Sequence, residues 1–413
     1  MAMPSSIEKR MKRFAEQRWL LDAIVRTVGL DWDQGRTGYT MAATGPAAMG
    51  DLMGVRNRVQ KFSDVPREFA RAARRREMRA KQYEQEGRLV AARESYFIAS
   101  LLYGNAMWAI FANTPENIEY NGKKVDCYVK YTQLAPHKAR RVEIPFEGKS
   151  LPGYLHLPPK ASASSPAPCV LAISGMDGFK EISVSMYGDR MLERGIGVLA
   201  MDGPGQGECC VRDMHCTATN YADAGRAMLA WLREQPEVDR NRIALSGVSM
   251  GSFWATQVAA NDDHLQGCGV AYVCYEPGLK SLLDGASPTF KLRYMYMAGF
   301  DDEAAFDRFA ETITLDGFAE RVKCPYLAIA GEDDELSPIE NAYELMKRLG
   351  GPKELLVYEG EKHSMPSAPS SMLGPNPMDY RAEWLADRLA GKPMESRNLF
   401  VDFTGKVQSR SWD

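Results

Sequence analysis

The 413-residue chain has no apolar run approaching the roughly 18–20 residues needed to span a bilayer, and no excess of either charge. Its 51 Lys and Arg stand against 54 Asp and Glu, a formal net charge of −3. That balance gives no footing for nucleic acid or an anionic membrane surface. Paired cysteines are missing as well. Cys127, Cys169, Cys209, Cys210, Cys216, Cys268, Cys274 and Cys324 include no C-x-x-C spacing, and several sit inside apolar runs. They read as buried reduced thiols, not as a disulfide or zinc framework. His215 and Cys216 are adjacent, a poor geometry for sharing a metal, so no metal and no cofactor are implied. The N-terminal MAMPSSIEKRMKRF lacks the apolar centre of a secretory signal, which predicts a cytoplasmic chain.

What is present is globular. Hydrophobic residues make up 45% and charged residues 25%. The length exceeds one typical core, so one large domain plus a second region is expected. Residues 1–120 read as a helical N-terminal lid or cap. Arg18 to Val25 suggests one amphipathic helix. A second is expected to start near Asp64-Val65-Pro66, and a third runs from Leu89 to Phe111 with Tyr96, Leu101, Tyr103, Met107 and Trp108 as large side chains. Arg71, Arg74, Arg75 and Arg76 crowd the second helix, as a solvated face does. An apolar helical region of this kind is compatible with a homodimer.

From Val142 the pattern turns to strands. Val142–Phe146 and Tyr154–Pro158 read as an antiparallel pair. Short apolar runs then alternate with helical stretches: 169–173, 197–201, 242–245, 269–273, 326–330 and 355–358. Continuous apolar strands separated by helices imply a mostly parallel sheet covered on both faces. The expectation is an α/β fold of about eight strands over residues 121–395, with a helical insertion at about 276–323 and a C-terminal tail at 396–413.

Ser249 sits in Gly247-Val248-Ser249-Met250-Gly251, between an apolar strand and a helical run. A sharp strand-to-helix turn needs small residues beside the serine, and it lifts the hydroxyl out of the sheet toward a helix N-terminus. Such a nucleophile needs a base, and the base an orienting acid. After the last two strands come Gly331-Glu332-Asp333-Asp334-Glu335-Leu336-Ser337-Pro338 and Glu359-Gly360-Glu361-Lys362-His363-Ser364. Of five histidines only His363 follows a strand C-terminus at the right place. Asp333 and Asp334 compete for the acid role, and the G-x-x-D-x-x-x-P spacing selects Asp334. An oxyanion needs two backbone donors. One is expected from Met250 and the other from Met176 in Ser174-Gly175-Met176-Asp177-Gly178.

Together with Asp202-Gly203-Pro204-Gly205-Gln206-Gly207-Glu208 and the helical Ala91–Tyr96 stretch, these motifs resemble the dihydroxypseudooxynicotine hydrolase family. Fungal polyketide-shortening hydrolases of pigment synthesis are similar to the same pattern. The likeness extends from about Val65 to Lys392. It implies the α/β-hydrolase fold and cleavage of a carbon–carbon bond next to a ketone, in a 1,3-diketone or acyl-phenol. Expelling a carbanion calls for a closed, partly apolar pocket. Asp177, Tyr103 and Glu276 are the substrate-contact candidates, Glu276 as the extra pocket acid that family members use. The partner implied is a small aromatic or acyl substrate. A carboxylesterase or amidase on the same scaffold, an acyltransferase or cyclase, and a non-catalytic binding protein are the competing readings.

Overall fold

A computed structural model describes residues 10–32, 35–363 and 366–412. Ser364 and most of the leader stretch considered above lie outside the described residues. Among the described residues no helix is long and apolar enough to cross a membrane.

Among the described residues, six α-helices precede the sheet: α1 (Lys12–Thr27), α2 (Arg36–Thr44), α3 (Met49–Arg56), α4 (Val65–Gln85), α5 (Leu89–Trp108) and α6 (Pro115–Leu134). Helix α4 starts where Pro66 predicts, but the Asp64 carboxylate turns back to the Gln60 and Lys61 amides instead of capping α4. Two of its exposed arginines are ion-paired, Arg71 to Glu68 and Arg74 to Glu119. Helix α5 is the axis of this layer. Every residue from Ser95 to Trp108 is buried, which suits a helix apolar on all sides. Helix α6 crosses the expected boundary at residue 120. Thr114 caps it by accepting from the Asn117 amide, with Pro115 at the first position, a legible start signal.

The sheet has ten strands: β1 (Lys138–Phe146), β2 (Lys149–Leu157), β3 (Ala167–Ile173), β4 (Gly197–Met201), β5 (Val238–Val248), β6 (Cys268–Ala271), β7 (Tyr326–Gly331), β8 (Lys353–Tyr358), β9 (Arg397–Val401) and β10 (Val407–Arg410). Their spatial order is β1-β2-β4-β3-β5-β6-β7-β8-β9-β10. The run from β4 to β9 is parallel, with an antiparallel pair at each end. The expected eight strands are therefore two short. Residues 396–413, expected as a tail, supply β9 alongside β8 and β10 on the edge. Between β1 and β2 the Glu147-Gly148 turn has positive φ at both residues (47° and 73°), as a two-residue hairpin requires.

Alternation divides the strands between two cores. Val170, Ala244, Leu327, Ile329 and Leu356 pack under α12 (Pro377–Leu389) through Trp384, Leu385 and Leu389. Leu171, Ile173, Leu245, Val270 and Ala328 face the other way. They pack toward α7 (Asn220–Arg233), α8 (Met250–Ala259) and α11 (Ile339–Arg348). Both faces are thus buried, as parallel strands demand. The segment between β6 and β7 carries α9 (Pro288–Ala298) and α10 (Glu303–Ala310). Arg13 of α1 donates to Leu283 O at 2.8 Å, tying the N-terminal layer to this segment.

Candidate active site

The chemistry gathers at the C-terminal ends of the parallel strands, where loops are free of the ladder. Ser249, between β5 and α8, has φ 55° and ψ −128°, a strained conformation for a side-chain-bearing residue. The turn is closed by two missing side chains. A Cβ on Gly247 would lie 2.5 Å from Gly251 O, and one on Gly251 would lie 2.4 Å from Ile173 O. Ser249 Oγ stands 2.8 Å from His363 Nε2, and His363 Nδ1 stands 2.8 Å from Asp334 Oδ2. The second Asp334 oxygen accepts from the Leu336 and Ser337 amides at 2.9 and 3.0 Å. Asp334 is buried, whereas Asp333 is exposed and only its amide, donating to Glu361 O, is engaged. Burial alone would push the His363 imidazole down, but the Asp334 carboxylate outweighs it and holds the pKa well above the ordinary histidine value. Cys274, just past β6, places its Sγ 3.8 Å from Ser249 Oγ.

The loop after β3 closes on this group. A Cβ on Gly175 would sit 3.1 Å from Ser249 Cβ. Neither the Met176 nor the Met250 amide donates to any acceptor among the described residues, so both remain available to an oxyanion. Farther along, Lys180 is wholly buried and anchors the loop. Its Nζ reaches Asp202 Oδ2 at 2.9 Å and Glu208 Oε2 at 2.8 Å, and its amide donates to Asp202 Oδ1. Burial penalises the Lys180 charge, but Asp202, Glu181 and Glu208 together raise it well above the usual lysine value. Asp202 is correspondingly lowered by Lys180, against its own burial.

The N-terminal layer meets the same loop. Lys124 of α6 and Glu181 form an ion pair at 3.2 Å with both side chains fully buried. Arg36 of α2, stacked 4.3 Å from the Trp108 ring centroid, is paired with Asp177. Gly104 of α5 faces Phe179, where a Cβ would fall 2.3 Å from the ring. Between these elements lies a small cavity of about 30 Å³. The loop residues Met176 to Phe179 form one wall, Gly104, Met107, Trp108, Asn117 and Lys124 another, and Arg293, Tyr296 and Met297 of α9 a third. Its polar wall is incompletely satisfied. Asn117 Oδ1 and Arg293 Nε are buried without hydrogen-bond partners, and Lys124 Nζ has its ion pair with Glu181. Arg293 donates to the Met107 and Trp108 carbonyls and pairs with no carboxylate among the described residues.

The structure brings Ser249, His363, Asp334, Met250 and Met176 together, and puts Asp177 in the cavity wall with its carboxylate engaged by Arg36. Tyr103 falls elsewhere, and Glu276 is not among the residues lining the cavity. The Tyr103 hydroxyl donates to Glu77 Oε2 at 2.8 Å deep between helices, and its ring lies 6.2 Å from that of Tyr120. It is a packing residue, since aromatic spacing on a helix identifies a buried face without saying what covers it. The Glu276 carboxylate accepts from the Ser281 amide at 2.6 Å and serves its own turn. Sequence reasoning missed Arg36, Lys124 and Arg293. Charged residues read as surface unless a buried partner is known. All eight cysteines are free and buried. No group of three His, Cys, Asp or Glu among the described residues is arranged to hold a metal.

A doubly covered parallel sheet with an elbow serine at its switch point, answered by an acid after β7 and a histidine after β8, defines an α/β-hydrolase. The model of one family of such enzymes, described as esterase FrsA-like, matches residues 67–390, and the chain belongs to that FrsA-like family. It is a hydrolase. It is 27% identical over 282 residues to the alpha/beta hydrolase xenA of Xenoacremonium sinensis, spanning 65% of each chain. It is 28% identical over 327 residues to the 2,6-dihydropseudooxynicotine hydrolase of Paenarthrobacter nicotinovorans, spanning 76% of this chain and 83% of that one. The match thus falls just short of two thirds of the first relative's length. The crystal structure of 2,6-dihydroxy-pseudo-oxynicotine hydrolase superposes with a TM-score of 0.72 at 23% identity, covering 87% of this chain and 99% of the other. That likeness speaks for the fold.

Proposed function

We propose that this enzyme cleaves a carbon–carbon bond next to a ketone in an aromatic or polyketide-like acyl substrate, a 1,3-diketone or an acyl-phenol. In this reading Ser249 Oγ attacks the ketone carbon as His363 takes its proton. Asp334 holds the imidazole, and the Met176 and Met250 amides receive the oxyanion. Collapse breaks the C–C bond. In a 1,3-diketone its electron pair passes into the neighbouring carbonyl, and His363 returns the proton to the carbon of the resulting enolate. An acyl-phenol reacts as its dienone tautomer, already protonated on the ring carbon, so the same collapse expels a phenolate, and His363 returns the proton to its oxygen. Water, activated by the same histidine, then releases the acyl group from Ser249 as a carboxylic acid.

The observation that carries this reading is the cavity beside the oxyanion loop. A departing enolate or phenolate needs a cation and hydrogen-bond partners, whereas an alcohol leaving from an ester needs only the histidine's proton. Arg293, with no carboxylate of its own, and the unpartnered Asn117 Oδ1 suit an ionised oxygen with a neighbouring hydroxyl. Phe179, Trp108, Met107 and Met297 give the same cavity an apolar side. The relatives' names, a pseudooxynicotine hydrolase among them, point the same way, while the family description as an esterase favours simple ester hydrolysis as the second reading. The test is a panel of p-nitrophenyl esters, acyl-phenols and 1,3-diketones with products identified by mass. Diketone or acyl-phenol turnover with Arg293→Gln lowering it at least tenfold more than ester turnover is expected. Fast ester hydrolysis with untouched diketones and acyl-phenols would overturn the C–C assignment.

A further inference from the structure

We infer that Gln206 is a positioning residue that aims the Met176 amide at the oxyanion, an inference that rests on the reading of Ser249 as nucleophile. Gln206 is fully buried in the turn after β4. Its amide orientation is fixed from behind. Oε1 accepts from Gly203 N at 3.2 Å and from the Tyr221 hydroxyl at 2.6 Å, so Nε2 is the end left to face the loop after β3. There Nε2 donates to Ser174 O at 2.8 Å and to Gly175 O at 2.9 Å.

The consequence follows from peptide geometry. In a planar trans peptide the carbonyl and the following N–H point in opposite directions. Drawing the Gly175 carbonyl toward Gln206 therefore turns the Met176 N–H away from Gln206. The same Gly175 abuts Ser249, so the freed N–H belongs to the peptide that lies against the nucleophile. The Gly175 carbonyl also accepts from Gly178 N at 3.2 Å, which makes residues 175–178 a turn and leaves Met176 N–H on its outside. The brace runs back to the nucleophile's own helix. Tyr221, which holds Gln206 Oε1, stacks on Trp254 of α8 with ring centroids 4.8 Å apart and planes 8° apart. One rigid chain, Trp254 to Tyr221 to Gln206 to the Gly175 carbonyl, thereby sets both sides of the oxyanion site from a common reference.

Gln206 touches no reacting atom, so its loss should act on the transition state and not on substrate binding. Gln206→Met removes the donor at nearly the same volume, and Gln206→Glu sets an acceptor against two carbonyls. With p-nitrophenyl butyrate, kcat should fall about 10²-fold in Gln206→Met and further in Gln206→Glu, with KM within about threefold. Phenylboronic acid, whose tetrahedral Ser249 adduct uses the oxyanion site, should lose affinity in parallel with kcat. Acetophenone, a planar ground-state competitor, should not. Tyr221→Phe removes only the hydroxyl behind Oε1, and should lower kcat about three- to tenfold with the boronate following. It decides the matter should the Gln206 variants fail to fold. Unchanged kcat, or boronate and acetophenone affinities falling together, would overturn the inference. A wild-type enzyme that forms no boronate adduct would instead overturn the reading of Ser249.

Discussion

Replacing Asp334 by asparagine changes one atom, and the surroundings dictate where that atom goes. Asp334 Oδ1 accepts from the Leu336 and Ser337 amides at 2.9 and 3.0 Å, a role that an amide NH2 cannot fill. The asparagine must therefore keep its oxygen there and turn its NH2 toward His363 Nδ1, 2.8 Å from the present Oδ2. A donor at that place makes Nδ1 the acceptor and moves the ring proton to Nε2, facing Ser249 Oγ at 2.8 Å. In that tautomer the imidazole cannot take the serine proton. The expected loss is about 10⁴ in kcat, the scale seen when a triad acid is replaced by its amide, or about 5 kcal/mol of transition-state stabilisation. Folding should change little, since shape and the two amide contacts persist. Steady-state kinetics on p-nitrophenyl butyrate with a urea melt as control gives the answer. Asp333→Asn, at an exposed position, should stay within about threefold of wild type. If Asp333→Asn were the crippling change, or if Asp334→Asn kept a tenth of the activity, the assignment of the acid would be wrong.

Two other perturbations test the surroundings. Because Asp334 holds the His363 pKa well above the ordinary value, and the base must be neutral, kcat/KM should rise with pH through a midpoint above about 6.5. Asp334→Asn should move that midpoint down, and a wild-type midpoint below 6.5 would contradict the electrostatic balance described. Lys180→Met leaves the buried Asp202 without its cation, a break that costs about 3–5 kcal/mol at pH 7 in urea unfolding. Asp202 is lowered in the folded protein, so its contribution is present above the unfolded value near 3.9 and lost as pH falls through the folded value. The gap between wild type and variant should narrow in acid, and a loss under 1 kcal/mol at neutral pH would refute the role given to Lys180.

The elbow serine, the acid loop and the histidine loop could be read from the sequence because each is a local pattern with a mechanical reason. Small residues flank Ser249 because backbone passes where side chains would be, and His363 follows a strand as a base must. The parallel strands were legible from continuous apolar runs. β9 and β10 were not, since Arg397–Val401 is one short run after a helix and the residues of β10 are all exposed. Helix α6 was overlooked despite Thr114-Pro115, because its buried face is built of Tyr120, Cys127, Tyr128 and Tyr131 with lysines between. Lys124, Arg36 and Lys180 could not be found locally. Their burial is settled by partners 57, 141 and 22 positions away, at Glu181, Asp177 and Asp202.

Gly104 on Phe179, Lys124 on Glu181 and Arg36 on Asp177 are three separate contacts, the first steric and the other two ionic. All three end within residues 177–181, next to the peptide that offers the Met176 amide. The helical layer is therefore no detachable cover. Trimming the chain to its sheet would take Lys124 from the Glu181 carboxylate and leave Phe179 without its seat. Drift in this chain is constrained accordingly: a larger residue at position 104 needs a smaller one at 179. Under the proposed function, wall positions that take no part in this coupling, such as Met107 and Met297, are where substrate range can change.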